Sequence, residues 1–409
     1  MVSAMQNLLV PVLAPKVLND GVDPCIENGS DSIGCIHALE FVTEIITTTA
    51  TVSFIFLFFA SPFLGSLCDV VGRKPIWLAV LALSSTSTLV FQAAITKLIP
   101  FECILFSMVN LQILVIVSTL VWTLAIADQL PVEYLEVGFG ISTGFGFLGS
   151  LIATSLAVIV STSACVAVTS IVTIIALFVG IRIPETLTSA KSKEAVTMRK
   201  QIRMLSDFAS WFFRGRYRKI TGILFFAQIT PAGIGSIFLV AWKAIYGINK
   251  DSAATANLIM FVSSAFVMMA LMQSLSDLLG PKGLILLSSV TAIAVLFGYG
   301  FSPSLEVLYF VKIFEGLFSL FPPTVSATFY RLTPPHVRAY TQGALISMQC
   351  VAGALGPLVY GTIFAYFEEP HSHSPQFPQA PFVVGCIAWM VVIGVIAPME
   401  PSMFSELNE

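Results

Sequence analysis

Lys312 and Glu315 stand where the chain has almost no other charges. Both fall inside an apolar stretch running from Ser304 to Phe329, and their i,i+3 spacing puts them on one face of a helix, within reach of an ion pair. Ionisable groups in hydrocarbon are costly, so they are paired, and they tend to mark ion or solute pathways. The chemistry open to this pair is proton uptake: a Glu315 carboxylate held by the Lys312 ammonium is released when a proton or a charged solute arrives. A permanent pair that only fixes helix packing fits the same spacing, because burial requires pairing in either case. Pro322 and Pro323 follow in the same stretch, where they kink the helix and free backbone carbonyls that could line a cavity.

A second constellation occupies a short polar turn, Gly65-Ser66-Leu67-Cys68-Asp69-Val70-Val71-Gly72-Arg73-Lys74. Asp69 can cap a helix or meet a base, Gly72 permits positive φ, and Arg73 with Lys74 faces water at the membrane surface. Such a turn can latch one group of helices to another in one conformation and release it in the next. The turn recurs: Gln273-Ser274-Leu275-Ser276-Asp277-Leu278-Leu279-Gly280-Pro281-Lys282 repeats its Ser, Leu, Asp, Gly and Lys at an offset of 208 residues. A further pair lies at an offset of 203, Asp128-x2-Pro131-x8-Gly140 against Arg331-x2-Pro334-x8-Gly343, with Arg338 in the second where the first has Leu135. A turn that was merely polar would not be expected twice at matching places.

The elements that position these residues are membrane helices. The 409 residues are 56% hydrophobic and 11% charged, with a mean hydropathy of +0.90, whereas soluble domains carry about 25% charged residues. Taking about 20 apolar residues per crossing, twelve spans are expected, near 2–18, 43–64, 76–95, 103–127, 139–160, 164–182, 220–242, 255–276, 283–301, 304–329, 342–366 and 382–398. The expected fold is all-α, with twelve transmembrane helices in two pseudo-symmetric six-helix bundles, 1–181 and 220–399, joined by the linker 182–219 and followed by a tail, 400–409. The first span is interrupted by Pro11 and Pro15 and barely reaches across. It is either unusually short or incomplete in the sequence given, and no basic region precedes it to support a signal peptide.

Residues 182–219 hold ten of the 20 Lys and Arg residues. Positive loops stay in the cytoplasm, so this linker and the loops bearing Arg73/Lys74, Lys282 and Arg331/Arg338 are expected inside, with both termini cytoplasmic. The acidic first outer loop agrees; the inner loop 128–138, with Asp128, Glu133 and Glu136 and no base, does not. A net charge of −3, with no Lys/Arg block carrying interleaved aromatics, argues against a nucleic-acid groove. The seven cysteines have no metal-ligand spacing, and no catalytic triad, phosphate-binding loop or cofactor motif stands in a polar domain, so neither an enzyme nor a metal or cofactor is expected.

Polar residues within spans extend the candidate cavity: Asn110 and Gln112 in span four, Gln228 with Pro231, Gly233 and Gly235 in span seven, and Gln349 in span eleven. Each alone is more often an interhelical hydrogen bond. Span seven is the best of them, because a Gly/Pro-interrupted segment points to a discontinuous helix near a binding site. Glu40 and Glu44, with His37 above, form an outer mouth or a proton-entry funnel. Asn28 begins an N-x-S sequon flanked by Cys25 and Cys35, which allows glycosylation and pairing in a secretory pathway. His371 and His373 read as a solvated loop rather than a metal site.

Gly65-x-Leu67-x-Asp69-x2-Gly72-Arg73-Lys74-Pro75 resembles the signature loop between helices two and three of the major facilitator superfamily, and Pro184-Glu185-Thr186 resembles the ending of that family's first half. Ser61-Pro62-Phe63-Leu64-Gly65, Tyr299-Gly300-Phe301, Gln342-Gly343, Gly353-x2-Gly356-Pro357-x2-Tyr360-Gly361 and Pro381-Phe382 are similar to the branch of tetracycline:proton antiporters and hippocampus-abundant-transcript-like transporters. The resemblance implies a transporter. It departs at Leu135 and Val70, where the family carries bases, at Thr154 in place of a kinking proline, at Ala232 in place of an acid, and in span four, which lacks the buried Arg of proton antiporters. The expected function is secondary active transport of a small organic solute by alternating access, driven by protons, in a bilayer-embedded monomer. A non-transporting membrane scaffold or receptor is the competing class, kept open by the missing base at Leu135 and by the short first span.

Overall fold

The computed structural model describes residues 33–100, 102–160, 162–187, 217–247, 250–333, 338–368 and 377–400. The first span and Asn28 lie outside them, as do the sequon-flanking Cys25, His371, His373 and most of the linker. Apolar sequence without competing turn signals makes helices, because in hydrocarbon every backbone group must be satisfied within its own segment. Among the described residues there are twelve α-helices: α1 (Ile33–Val71), α2 (Arg73–Ile95), α3 (Glu102–Gln129), α4 (Leu135–Ile159), α5 (Thr162–Arg182), α6 (Tyr217–Tyr246), α7 (Lys250–Phe266), α8 (Met272–Phe301), α9 (Leu305–Phe318), α10 (Phe321–Leu332), α11 (Arg338–Glu368) and α12 (Ala380–Ile396).

Helices and crossings do not map one to one. Among the described residues eight stretches are long and apolar enough to cross a membrane. One of them, Ser252–Phe301, contains 50 residues, about 75 Å of helix at 1.5 Å per residue, more than twice the hydrocarbon core of about 30 Å. It breaks at Gly280, whose φ of 63° and ψ of 177° are non-helical, and so makes two crossings. The tenth span is split into α9 and α10 at Ser319 and Leu320, directly ahead of Pro322 and Pro323: the prolines fit the first turn of a new helix, where their missing N–H costs nothing. Span seven is instead one continuous helix, α6, with Pro231 inside it. The expected discontinuity is absent because Gly233 lets α6 close onto α11: a Cβ there would lie 2.6 Å from the Gly356 carbonyl oxygen. Thr230 and Tyr360 share a 2.9 Å hydrogen bond at the same crossing.

In the first half α3 packs on α1 and α2, and α2 on α5; in the second, α6 packs on α11 and α12, and α8 on α9 and α12. Two seams join the halves. Along one, α11 lies against α1; Gly343 would place a Cβ 2.9 Å from Pro62 Cα, Gly65 would place one 3.0 Å from the Ala339 carbonyl carbon, and Ser347 donates to the Phe58 carbonyl at 2.8 Å. Along the other, α4 meets α7, α10 and the π-turn Val267–Leu271. Gly140 and Gly144 of α4 receive the side chains of Met272 and Met269, flexible thioethers that can repack as the helices shift.

Candidate transport machinery

The signature turn folds as a set of staples within the first half. Gly72 adopts φ 106°, ψ 161°, a region open essentially to glycine, which turns the chain from α1 into α2. The Arg73 side chain then points back into the bundle, where it is 5% exposed. Its Nη2 meets Asp69 at 2.7 Å and its Nε meets Asp128, at the end of α3, at 3.1 Å. Glu185, beyond α5, accepts hydrogen bonds from the backbone N–H groups of Arg73 (3.0 Å) and Lys74 (3.1 Å), capping the orphan donors at the start of α2 from 111 residues away. Burial pushes the Glu185 carboxyl upward, but the N–H groups of Leu187, Arg73, Lys74 and Thr186 outweigh it and hold the group below the usual carboxylate range. Lys74 Nζ donates to the Ile181 carbonyl at 2.8 Å, near the end of α5.

The repeat reproduces part of this. Gly280 again sits at positive φ, and Lys282 Nζ donates to the carbonyls of Ala397 (2.9 Å) and Met399 (2.6 Å) just beyond α12, where Lys74 donates to a carbonyl in the last turn of α5. Asp277 is exposed and has no ion-pair partner among the described residues. Arg338 stays in its own half, stacked over the Tyr330 ring at 4.7 Å and donating to the Thr333 carbonyl.

What ties the halves electrostatically is a different pair. Arg331, at the end of α10, reaches across to the turn ahead of α4: Nη1 lies 2.6 Å from Glu136 Oε1, and Nε and Nη2 donate to the carbonyls of Val132 (3.1 Å) and Glu133 (3.2 Å). Ser276 of α8 donates to the other Glu136 oxygen at 2.8 Å. Glu136 is 1% exposed, and it lies in the first turn of α4, where the helix dipole favours an acid. This ion pair crosses between the halves, and it lies at the same end as the signature turn, hereafter the latch end.

The third cluster is enclosed in the second half. Lys312 Nζ lies 2.7 Å from Glu315 Oε2, and the Tyr299 hydroxyl donates to the same carboxylate. Phe238 and Trp242 of α6 and Tyr299 of α8 surround the ammonium, with ring centroids at 4.2, 5.3 and 4.7 Å. Such faces stabilise a desolvated cation through their quadrupoles.

The family model of the Major Facilitator Superfamily matches residues 2–357 and 220–402. The chain belongs to the major facilitator superfamily. Among curated proteins it is 24% identical over 373 residues to hippocampus abundant transcript-like protein 1 of Bos taurus, covering 83% of this chain and 71% of the bovine protein. It is 24% identical over 328 residues to the Homo sapiens protein of the same name, covering 76% of this chain and 62% of the human one. Among solved structures, the fold is similar to the human organic anion transporter MFSD10 (TETRAN), with a TM-score of 0.75 at 16% identity, covering 97% of this chain and 96% of that one. It is also similar to the superfamily transporter FucP in its outward conformation, with a TM-score of 0.66 at 12% identity and 97% of each chain covered. Family and fold are therefore those of multi-pass membrane transporters.

Superfamily membership organises the remaining candidates. Asn110 is satisfied within α3 by the Phe106 carbonyl at 3.0 Å; Gln112, Gln228, Pro231 and Gln349 are half-buried, on α3, α6 and α11, of which α11 packs against the other two. Glu40 and Glu44 fall in the N-terminal part of α1. The sequence offers the signature turn as a latch between halves and leaves Glu136, in an acidic loop, without a role. The signal lay in complementarity: the turn 128–138 carries acids and no base, while Arg331 and Arg338 stand without an acid at the repeat-related positions.

Proposed function

We propose that the chain is a secondary active transporter that moves a small organic solute by alternating access, its halves rocking on the α1–α11 and α4–α7 seams, with protons as the driving ion. The observation that carries this reading is the Glu136–Arg331 pair. A buried ion pair between two bundles at one end closes one mouth of a path between them, and it must part when that mouth opens. The latch end is the cytoplasmic one in this reading, because Arg73, Lys74, Lys282, Arg331 and Arg338 cluster there. The missing base at Leu135, which favoured a scaffold, is offset by Arg331 arriving from the other half. Coupling falls to Lys312 and Glu315. Since MFSD10 is described as an organic anion transporter, organic anions head the solutes to test.

The experiment is uptake into proteoliposomes under an imposed pH gradient, with a protonophore control, for organic anions, neutral sugars and organic cations. Gradient-dependent uptake of at least one class is expected, and Glu315→Gln should retain solute exchange while losing gradient dependence. A wild-type chain that takes up none of them, or a Glu315→Gln variant with unchanged gradient-driven uptake, would overturn the transport reading or the coupling assignment respectively.

A further inference from the structure

Lys312 differs from every other base among the described residues. Arg73, Lys74, Arg182, Lys282, Arg331 and Arg338 lie at the latch end, Arg218 and Lys219 stand in the first turn of α6, and Lys97, Lys243 and Lys250 lie near the opposite ends of their helices; Lys312 alone sits in the middle of a span, 2% exposed. Its side chain is 3% exposed against 17% for Glu315, so the carboxylate is the more accessible partner of the pair. The enclosure also holds an unused donor. Trp242 is fully buried, its ring is 5.3 Å from Lys312 Nζ, and its indole Nε1 has no hydrogen-bond partner, a condition that buried N–H groups rarely keep without a reason. Glu315 uses the ammonium and the Tyr299 hydroxyl and leaves this N–H unmet.

We infer that Lys312 is the docking point for the anionic head of the transported solute, a carboxylate-bearing organic monoanion, which replaces Glu315 there once Glu315 has taken up a proton. The inference rests on the proton-coupled transport reading and names its solute class and stoichiometry. One carboxylate oxygen of the solute takes the Lys312 ammonium, and the other is in reach of the Trp242 N–H. The charge balance closes: Lys312⁺ with Glu315⁻ is neutral, and Lys312⁺ with protonated Glu315 and one solute carboxylate is neutral again. No covalent bond changes except the O–H formed on Glu315. A net charge in a low-dielectric interior is strongly disfavoured, so proton and monoanion enter one to one and the loaded site crosses without moving charge.

Among the described residues the side chains that meet this cluster carry no other compensating charge. From α8 comes Tyr299; from α6 come Phe238, Trp242 and Tyr246, the last donating to the Tyr299 carbonyl at 2.9 Å. From α7 come Ser263, bonded to the Ile313 carbonyl, and Ser264, paired with Ser319; from α12 comes Phe382, packed edge-on against Tyr299. All are uncharged side chains.

The test uses the purified chain with Glu315→Gln, which imitates the protonated carboxyl and leaves Lys312 uncompensated. Sodium acetate and sodium benzoate at millimolar to 100 mM concentration are the probes, with acetamide and benzamide as neutral controls. Either anion should raise the unfolding temperature of Glu315→Gln by about 2 °C or more while the amides do not. The rise should persist in Lys312→Arg/Glu315→Gln, vanish in Lys312→Gln/Glu315→Gln, and need about five-fold more anion when Trp242→Phe removes the N–H and keeps a ring. If the Lys312→Gln double variant does not fold, Lys312→Met/Glu315→Leu supplies an apolar replacement. Failure of both anions to stabilise Glu315→Gln, or equal stabilisation without Lys312, overturns the inference. Gradient-driven uptake of a solute that persists in Lys312→Gln also sinks it and leaves the transport reading standing. Absence of any wild-type uptake, with anion binding through Lys312 intact, sinks the transport reading alone.

Discussion

Replacing Glu136 by glutamine should unlock the latch end. In the structure Glu136 is 1% exposed and Arg331 9% exposed, and their charged atoms are 2.6 Å apart. Removing one partner of a buried pair leaves the other charge uncompensated, at a cost of about 3–5 kcal/mol. The lower figure applies here, because the carbonyls of Val132 and Glu133 still accept from the guanidinium and glutamine can keep the bond from Ser276. Once the halves part, water solvates Arg331 and the penalty disappears, so it falls on the closed state. About 3 kcal/mol corresponds to a shift of roughly 100-fold in the closed-to-open ratio. Spin labels at Val71 and Leu278, both exposed at the latch end and on opposite halves, report it as a longer component in the pulsed-dipolar distance distribution. The charge swap Glu136→Arg with Arg331→Glu should recover part of the short component. A distribution in Glu136→Gln that overlays the wild type, or a swap no better than the single variant, would refute the gate.

The seams and staples give further outcomes. Gly65→Ala and Gly343→Ala each drive a methyl into backbone of the facing half, so both should populate the open form by about 10-fold or more in the same distance measurement. Gly72→Ala should cost about 1–3 kcal/mol from its backbone conformation alone and more through contact with the Glu185 carboxylate, whereas a Cβ at Gly280 meets open space; thermal unfolding should therefore rank Gly72→Ala below Gly280→Ala. Glu185 is held below its ordinary value of 4.5 in the fold. Its contribution to stability is thus complete above that value and lost as pH falls through the lower folded value. The wild-type unfolding temperature should drop more steeply below pH 4.5 than that of Glu185→Gln, and parallel curves would exclude the cap.

Much of this protein was legible before folding because much of it is local. An apolar run of about 20 residues dictates a membrane helix whatever its neighbours are. The Lys312–Glu315 pair lies on one turn of one helix, Gly72 and Gly280 act within their own turns, and Pro322 with Pro323 breaks the helix that contains it. Span seven misled because a proline and two glycines can mean either a broken helix or a close crossing, and only the position of Gly356 on α11 distinguishes them. The same limit applies to every partnership across the chain. Arg331 meets Glu136 over 195 residues, Glu185 caps α2 over 111 residues, and the rings around Lys312 arrive from α6 and α8. Residue types announced that each of these groups needed a partner, since a buried charge or an orphan N–H cannot be left alone. Which partner it found was decided by how the helices pack, because interhelical contact depends on the crossing geometry of whole bundles and leaves no spacing in the sequence to read.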